Sequence, residues 1–287
     1  MIKHLGVVGA GTMGAGIAQV AALAGIDVMI YDINDTILRQ ALERIKADLK
    51  QGIARGKLST EKMAEAIPRV HPRTSLPDLH SCEFVVEAAI EDLRVKKDLF
   101  KHLDAVTKTS AVLATNTSSF SVTAIASAVR KPDRVVGMHF FNPAHIMMLV
   151  EVVRAQNTSE ETIRRTFELA RDLGKTPVLT KDTPGFIVNR IARPFYGEAL
   201  RILGENIATH EQVDRIVRTI GGFRMGPFEL MDLIGIDINF SVTQSMYDQY
   251  FGEPRYRPHP IQKRMIDSGT LGRKTGTGFY SYEDKKK

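Results

Sequence analysis

Residues 2–32 read IKHLGVVGAGTMGAGIAQVAALAGIDVMIYD, and this stretch decides the fold. Ile2–Val8 is short, apolar and rich in β-formers, the pattern of a strand buried inside a parallel sheet. Gly9-Ala10-Gly11-Thr12-Met13-Gly14 follows as G-x-G-x-x-G. An Ala-rich apolar run over 13–24 predicts a helix, with Gly25 placed to end it. Residues 26–31 predict a second strand, and Asp32 closes it. A bare G-x-G-x-x-G is weak evidence. Here it has a strand before it, a helix after it and an acid 21 residues past Gly11, the context a dinucleotide site requires.

Each residue type has a physical reason. Gly9 permits the tight turn, Gly11 lets a pyrophosphate approach the backbone, and Gly14 lets helix and strand pack closely. The helix start at Thr12 and Met13 offers free N–H groups and a partial positive charge to phosphate. Asp32 can accept hydrogen bonds from ribose hydroxyls and would repel a 2′-phosphate. Ile33 and Asn34 supply no arginine to reverse that, so NAD is expected rather than NADP. The same region has a competing reading. Leu5–Ile26 is uncharged over 22 residues, long enough to span a bilayer. Six glycines in it would weaken a single helix, and a charged segment follows at once with no separate mature start. No membrane span and no signal peptide are expected.

The remaining composition fits that reading. The chain has 287 residues, and at roughly 150 residues per domain that suggests two domains. Hydrophobic residues are 43% and charged residues 25%, which argues against disorder and coiled coil. A single cysteine, Cys82, excludes a disulfide framework and a Cys-based zinc site, so no metal is expected and a cytoplasmic setting fits. The net charge of +6 suits nucleic acid or a small polyanion. The positive excess is diffuse apart from Lys285-Lys286-Lys287 and no aromatic platform accompanies it, so nucleic acid is not expected.

Strand signals recur at 84–88, 112–115, 135–140, 149–153 and 176–180, with helical stretches at 93–107 and 159–173 between them. Residues 35–66 are highly charged, with Leu38, Leu42, Ile45 and Leu49 at helical spacing. Gly52 and Gly56 suggest a helix pair rather than one rod. Its basic members are either a solvated face or an arm that holds an anionic substrate. After Lys181-Asp182-Thr183-Pro184-Gly185 the strand signals stop, and 186–206, 209–220 and 226–249 read as helices. The expected architecture is an α/β, Rossmann-type, doubly wound and mostly parallel sheet with a projecting helical pair over residues 1–183. An all-α domain over 184–287 follows it.

The chemistry is expected at strand ends of the first domain. His139 follows an apolar strand, and Glu151 lies inside the next one, Leu-Val-Glu-Val-Val. A carboxylate there is costly to bury without a partner, which a neighbouring imidazole would supply. Glu151 would then orient the ring and stabilise imidazolium while the other ring nitrogen faces substrate. A lone histidine is more often a satisfied core residue; the buried acid moves the balance to catalysis. Asn116 and Ser118 sit in a polar loop at another strand end, where Ser119 or Ser121 could instead cap a helix over 122–128. Asn189, in Gly185-Phe186-Ile187-Val188-Asn189-Arg190, is as consistent with a structural hydrogen bond as with a site role.

These segments together resemble the short-chain L-3-hydroxyacyl-CoA dehydrogenases, including the bacterial 3-hydroxybutyryl-CoA dehydrogenases. The matching pieces cover nearly the whole chain. They are GAGTMG (9–14), 87–91, NTSS (116–119), HFFNP (139–143), LVEVV (149–153), KDTPGFIVNR (181–190), MGPFEL (225–230), 233–237 and GRKTGTGFY (272–280). The resemblance implies His139 as catalytic base with Glu151 as its partner. It implies that Ser118, Asn142 and Asn189 line the reacting end of the substrate and the nicotinamide. Asp32 matches the adenosine-ribose ligand, and Glu91 and Lys96 match further cofactor contacts. The 35–66 pair matches an arm that contacts coenzyme A, with Lys50, Arg55 and Lys57 as the expected group, and the helical domain is where members form homodimers. Two departures stand out. Thr115 replaces a common Ser, and Ala144-His145-Ile146-Met147-Met148 stands where many members carry Val-Pro-Val-Met-Lys, which bears on acyl preference. A dehydrogenase of the same architecture for a free hydroxy acid, such as a sugar acid or carnitine, remains the competing reading. A non-catalytic NAD-binding protein is a further one, against which the His139/Glu151 pair argues.

Overall fold

The computed structural model describes residues 2–282; the tail lysines 285–287 lie outside them. The chain divides into two compact units, one ending at Phe186 and one beginning at Ile187. The first unit contains, in chain order, β1 (His4–Val8), α1 (Thr12–Leu23), β2 (Asp27–Tyr31), α2 (Asp35–Ala54), α3 (Thr60–Ala66), β3 (Val70–Arg73) and β4 (Phe84–Glu87). It continues with α4 (Leu93–Val106), β5 (Val112–Thr115), α5 (Val122–Ala126), β6 (Val135–Phe140), β7 (Leu149–Arg154), α6 (Glu160–Asp172) and β8 (Thr176–Lys181).

The eight strands form one sheet in the order β3-β2-β1-β4-β5-β6-β7-β8. All neighbours run parallel except β6 and β7, which are antiparallel. Strands β4, β5 and β6 are buried along their whole length, because helices cover both faces of the sheet. One apolar cluster packs α1, α2 and α6 on one face, around Ile17, Leu38 and Leu169. The other packs α4 and α5 on the opposite face, around Phe100, Leu103 and Ile125. The chain order reverses between β1 and β4, which creates the crevice at their carboxyl ends where open α/β sheets hold ligands.

The second unit is helical: α7 (Val188–Gly204), α8 (His210–Thr219), α9 (Pro227–Ile234), α10 (Ile236–Gln249) and α11 (Pro260–Asp267). Its core gathers Leu200, Phe228 and Met231.

The structure differs from the sequence expectation at four places. β3 carries no recognisable strand signal because Val-His-Pro-Arg contains Pro72, which only an edge strand such as this one tolerates. Gly52 lies inside α2 rather than breaking it; the turn is at Gly56, whose φ of +66 favours glycine. The expected helix over 226–249 is two helices, separated at Gly235 with φ +101. Helix α11, opened by His259 and Pro260, went unanticipated.

Candidate active site

The glycine loop follows from steric limits. Gly9 sits at φ +97, and a Cβ there would lie 2.6 Å from the carbonyl oxygen of Ala88. Gly14 packs so tightly that its Cβ would stand 1.8 Å from the Gly9 oxygen. Above Gly11 a Cβ would meet nothing within 4 Å, so this position faces open space. Helix α1 begins there with no side-chain cap and no acidic residue in its first turn. Its first N–H groups and positive dipole end are therefore offered to an anion. The Asp32 carboxylate accepts from Ala10 N at 2.9 Å and Asn34 N at 3.1 Å, which fixes it beside the loop. These residues fit a dinucleotide. Replacing Gly14 by Ala is expected to cost ~2 kcal/mol or more in stability and to abolish NADH binding, read by melting and fluorescence titration.

The second feature is the pair at β6 and β7. The antiparallel register sets His139 directly opposite Glu151. His139 Nδ1 and Glu151 Oε2 are 2.7 Å apart, with the residues only 5% and 1% exposed. Phe141 and Phe186 tilt against the imidazole at ring-centroid distances of 4.6 and 5.8 Å. The acid holds one ring nitrogen, so Nε2 is the one available for proton transfer. An apolar wall around a paired imidazole suits a base that works with little water present.

A third cluster lies at the ends of β4 and β5. Glu87 and Lys96 are fully buried, with Lys96 Nζ at 2.7 Å from Glu87 and 3.1 Å from Glu91. Glu87 also accepts from the Thr115 hydroxyl at 2.7 Å. Glu91 accepts from the Thr117 and Ser119 hydroxyls and from Ser118 N. Burial pushes the Glu91 carboxyl up, but Lys96 and the two hydroxyls outweigh it and hold the group below the usual carboxylate range. An ionised Glu91 thus organises the 117–119 loop. Sequence reasoning passed over Glu87, although an acid inside an apolar strand was the same signal that singled out Glu151.

A groove of about 310 Å³ runs between the α2 arm and the segment after β6. Gln19, Asp48, Arg55, Lys57, His145 and Ile146 are among its lining residues. Gln19 is 4% exposed and, among the described residues, its Oε1 has no hydrogen-bond donor. A buried acceptor without a donor is costly, so Gln19 is a destabilising element of this wall of the groove. Arg55 and Lys57 put positive charge at the same groove, whereas Lys50 does not line it. In the sequence Gln19 stands out only as the one polar residue of the Ala-rich run over 13–24, and nothing there joins it to His145.

Known proteins match this chain along nearly its whole length. Residues 4–183 match the model for the 3-hydroxyacyl-CoA dehydrogenase NAD binding domain, and residues 185–282 match that family's C-terminal domain. The chain belongs to the 3-hydroxyacyl-CoA dehydrogenase family. It is 45% identical over 285 residues to a 3-hydroxyadipyl-CoA dehydrogenase of Escherichia coli K12, covering 99% of this chain but only 60% of that longer protein. A probable 3-hydroxybutyryl-CoA dehydrogenase of Deinococcus radiodurans is 43% identical, with 96% of this chain and 99% of that one covered. The solved (S)-3-hydroxybutyryl-CoA dehydrogenase from Ralstonia eutropha superposes with a TM-score of 0.94 at 39% identity, over 99% of this chain and 100% of that one.

Asn116 Oδ1 accepts from Phe140 N at 2.8 Å, a bond that ties the NTSS loop to the strand carrying His139. Ser118 is half-buried in that loop, and Asn142 is exposed just past β6. Ser121, rather than Ser119, caps α5, and Asp182 accepts from Ser121, Val122 and Thr123. Asn189 is the second residue of α7 in the other unit, with Oδ1 at 3.5 Å from Arg193. Lys96, expected as a cofactor contact, is 1% exposed and occupied by two carboxylates.

Proposed function

We propose that this protein oxidises (S)-3-hydroxyacyl-CoA, with 3-hydroxybutyryl-CoA as the representative substrate, to the 3-ketoacyl thioester, and catalyses the reverse. The buried His139–Glu151 pair, in the same unit as the glycine loop, carries this reading. Bound NAD⁺ supplies the hydride acceptor. His139 Nε2 takes the C3 hydroxyl proton, and Glu151 holds Nδ1 and stabilises the imidazolium. Ser118 positions the substrate oxygen, so that hydride and proton leave in one geometry. Asn142 lines the reacting end, and the family resemblance gives Asn189 a substrate-side role.

Gly9, Gly11, Thr12, Met13 and Gly14 hold the pyrophosphate, and Asp32 accepts from the adenosine ribose. Asn116 and Glu91 set the cofactor-facing loop, and Lys96 acts there through Glu91. Arg55 and Lys57 bind the coenzyme A phosphates at the groove, with Lys50 as a weaker long-range charge. The functional division falls at 183/184, the helical part forms the homodimer, and the protein works in the cytoplasm.

The test is NADH consumption on addition of acetoacetyl-CoA, free acetoacetate or gulonate. Rapid consumption is expected with the thioester alone. Activity confined to the free acids would give the free-acid reading instead. With NADPH the rate should fall at least ~10²-fold if Asp32 excludes the 2′-phosphate; equal rates would contradict that role.

A further inference from the structure

Lys175 precedes β8 and is 7% exposed. Its ammonium donates to two backbone carbonyls, Ala144 O at 2.7 Å and Met147 O at 3.0 Å. Burial pulls this ammonium below the ordinary lysine range. Burying a charge is expensive, and a methionine at this site would avoid the cost. The two bonds offset it, because charge-assisted hydrogen bonds are about twice as strong as neutral ones.

The clamped carbonyls bracket His145 and Ile146, two wall residues of the 310 Å³ groove. The segment is a tight turn, with Ile146 N and Met147 N both donating to Pro143 O at 3.0 Å. On its other side Ala144 packs against α1, 3.1 Å from where a Gly16 Cβ would stand. The β7–β8 pairing begins beside it, with Thr176 N donating to Met148 O at 2.8 Å. Lys175 thus pins the turn from the sheet side, α1 limits it from the other, and the groove wall lies between. This is also the segment that departs from the common Val-Pro-Val-Met-Lys.

We propose that Lys175 is a positioning residue for thioester binding: by holding the 144–147 turn it fixes the wall that His145 and Ile146 present to the coenzyme A arm of the substrate. The proposal rests on the thioester reading of the groove. Lys175 touches neither the reacting atoms nor the glycine loop, so it should act on KM rather than on kcat.

The test compares wild type, Lys175→Met and Lys175→Arg in steady-state reduction of acetoacetyl-CoA by NADH. Arginine keeps the charge but cannot place one nitrogen between both carbonyls. Expected are a rise in KM for the thioester of about tenfold in Lys175→Met and about threefold in Lys175→Arg, with kcat changed less than about twofold. The NADH dissociation constant should stay at the wild-type value in both. If Lys175→Met does not fold, the arginine variant decides alone. Wild-type KM in the folded variants, or an equal fall in kcat and NADH affinity, would overturn the proposal. A wild type inactive on the thioester would overturn the groove reading and this proposal with it, whereas an active wild type with unmoved variants strikes Lys175 only.

Discussion

Replacing His139 by Gln is expected to lower turnover by ~10²–10⁴ while leaving NADH affinity unchanged. Glutamine fills a similar volume and can still hydrogen-bond Glu151, so the buried pair survives as a structural contact. It offers no nitrogen that can take a proton from the C3 hydroxyl. The glycine loop and Asp32 are untouched by the change. Steady-state rates with acetoacetyl-CoA, set beside a fluorescence titration with NADH, separate the two effects. A variant with wild-type turnover would leave His139 as a core residue.

Glu151→Gln is the second large effect. Glu151 is 1% exposed and lies between Val150 and Val152, both fully buried. The amide can keep a hydrogen bond to Nδ1, so the fold should persist. The acid proposed to stabilise imidazolium is lost from a buried site. Removing the charge behind a catalytic histidine costs up to ~10⁴ in other enzymes, and a fall of ~10² or more is expected here. The loss should fall on turnover rather than on NADH affinity, because the glycine loop and Asp32 are untouched. A wild-type rate would make Glu151 a structural acid.

Much of this was legible in the sequence because the signals are local. The glycine loop, its flanking strands and Asp32 lie within 31 consecutive residues, and each residue type has its own steric or electrostatic reason. The His139–Glu151 contact was readable from the cost of burying an acid in an apolar strand. The antiparallel reversal between β6 and β7, which sets the two opposite each other, was not. What escaped was long-range or masked. Pro72 hid an edge strand, and Gly235 could not be told from a tolerated helix glycine until its φ of +101 was known. The groove joins Gln19, Asp48 and His145 from three separate elements, and no spacing rule links them. Nothing in the sequence marks Lys175, whose two carbonyl partners lie about 30 residues away.

The most direct measurement is NADH formation when (S)-3-hydroxybutyryl-CoA is added to the protein with NAD⁺, alongside free 3-hydroxybutyrate. NADH is expected to appear in step with the 3-ketoacyl thioester, and not from the free acid. No NADH from the thioester, or equal rates from both, would rule out a thioester-specific dehydrogenase.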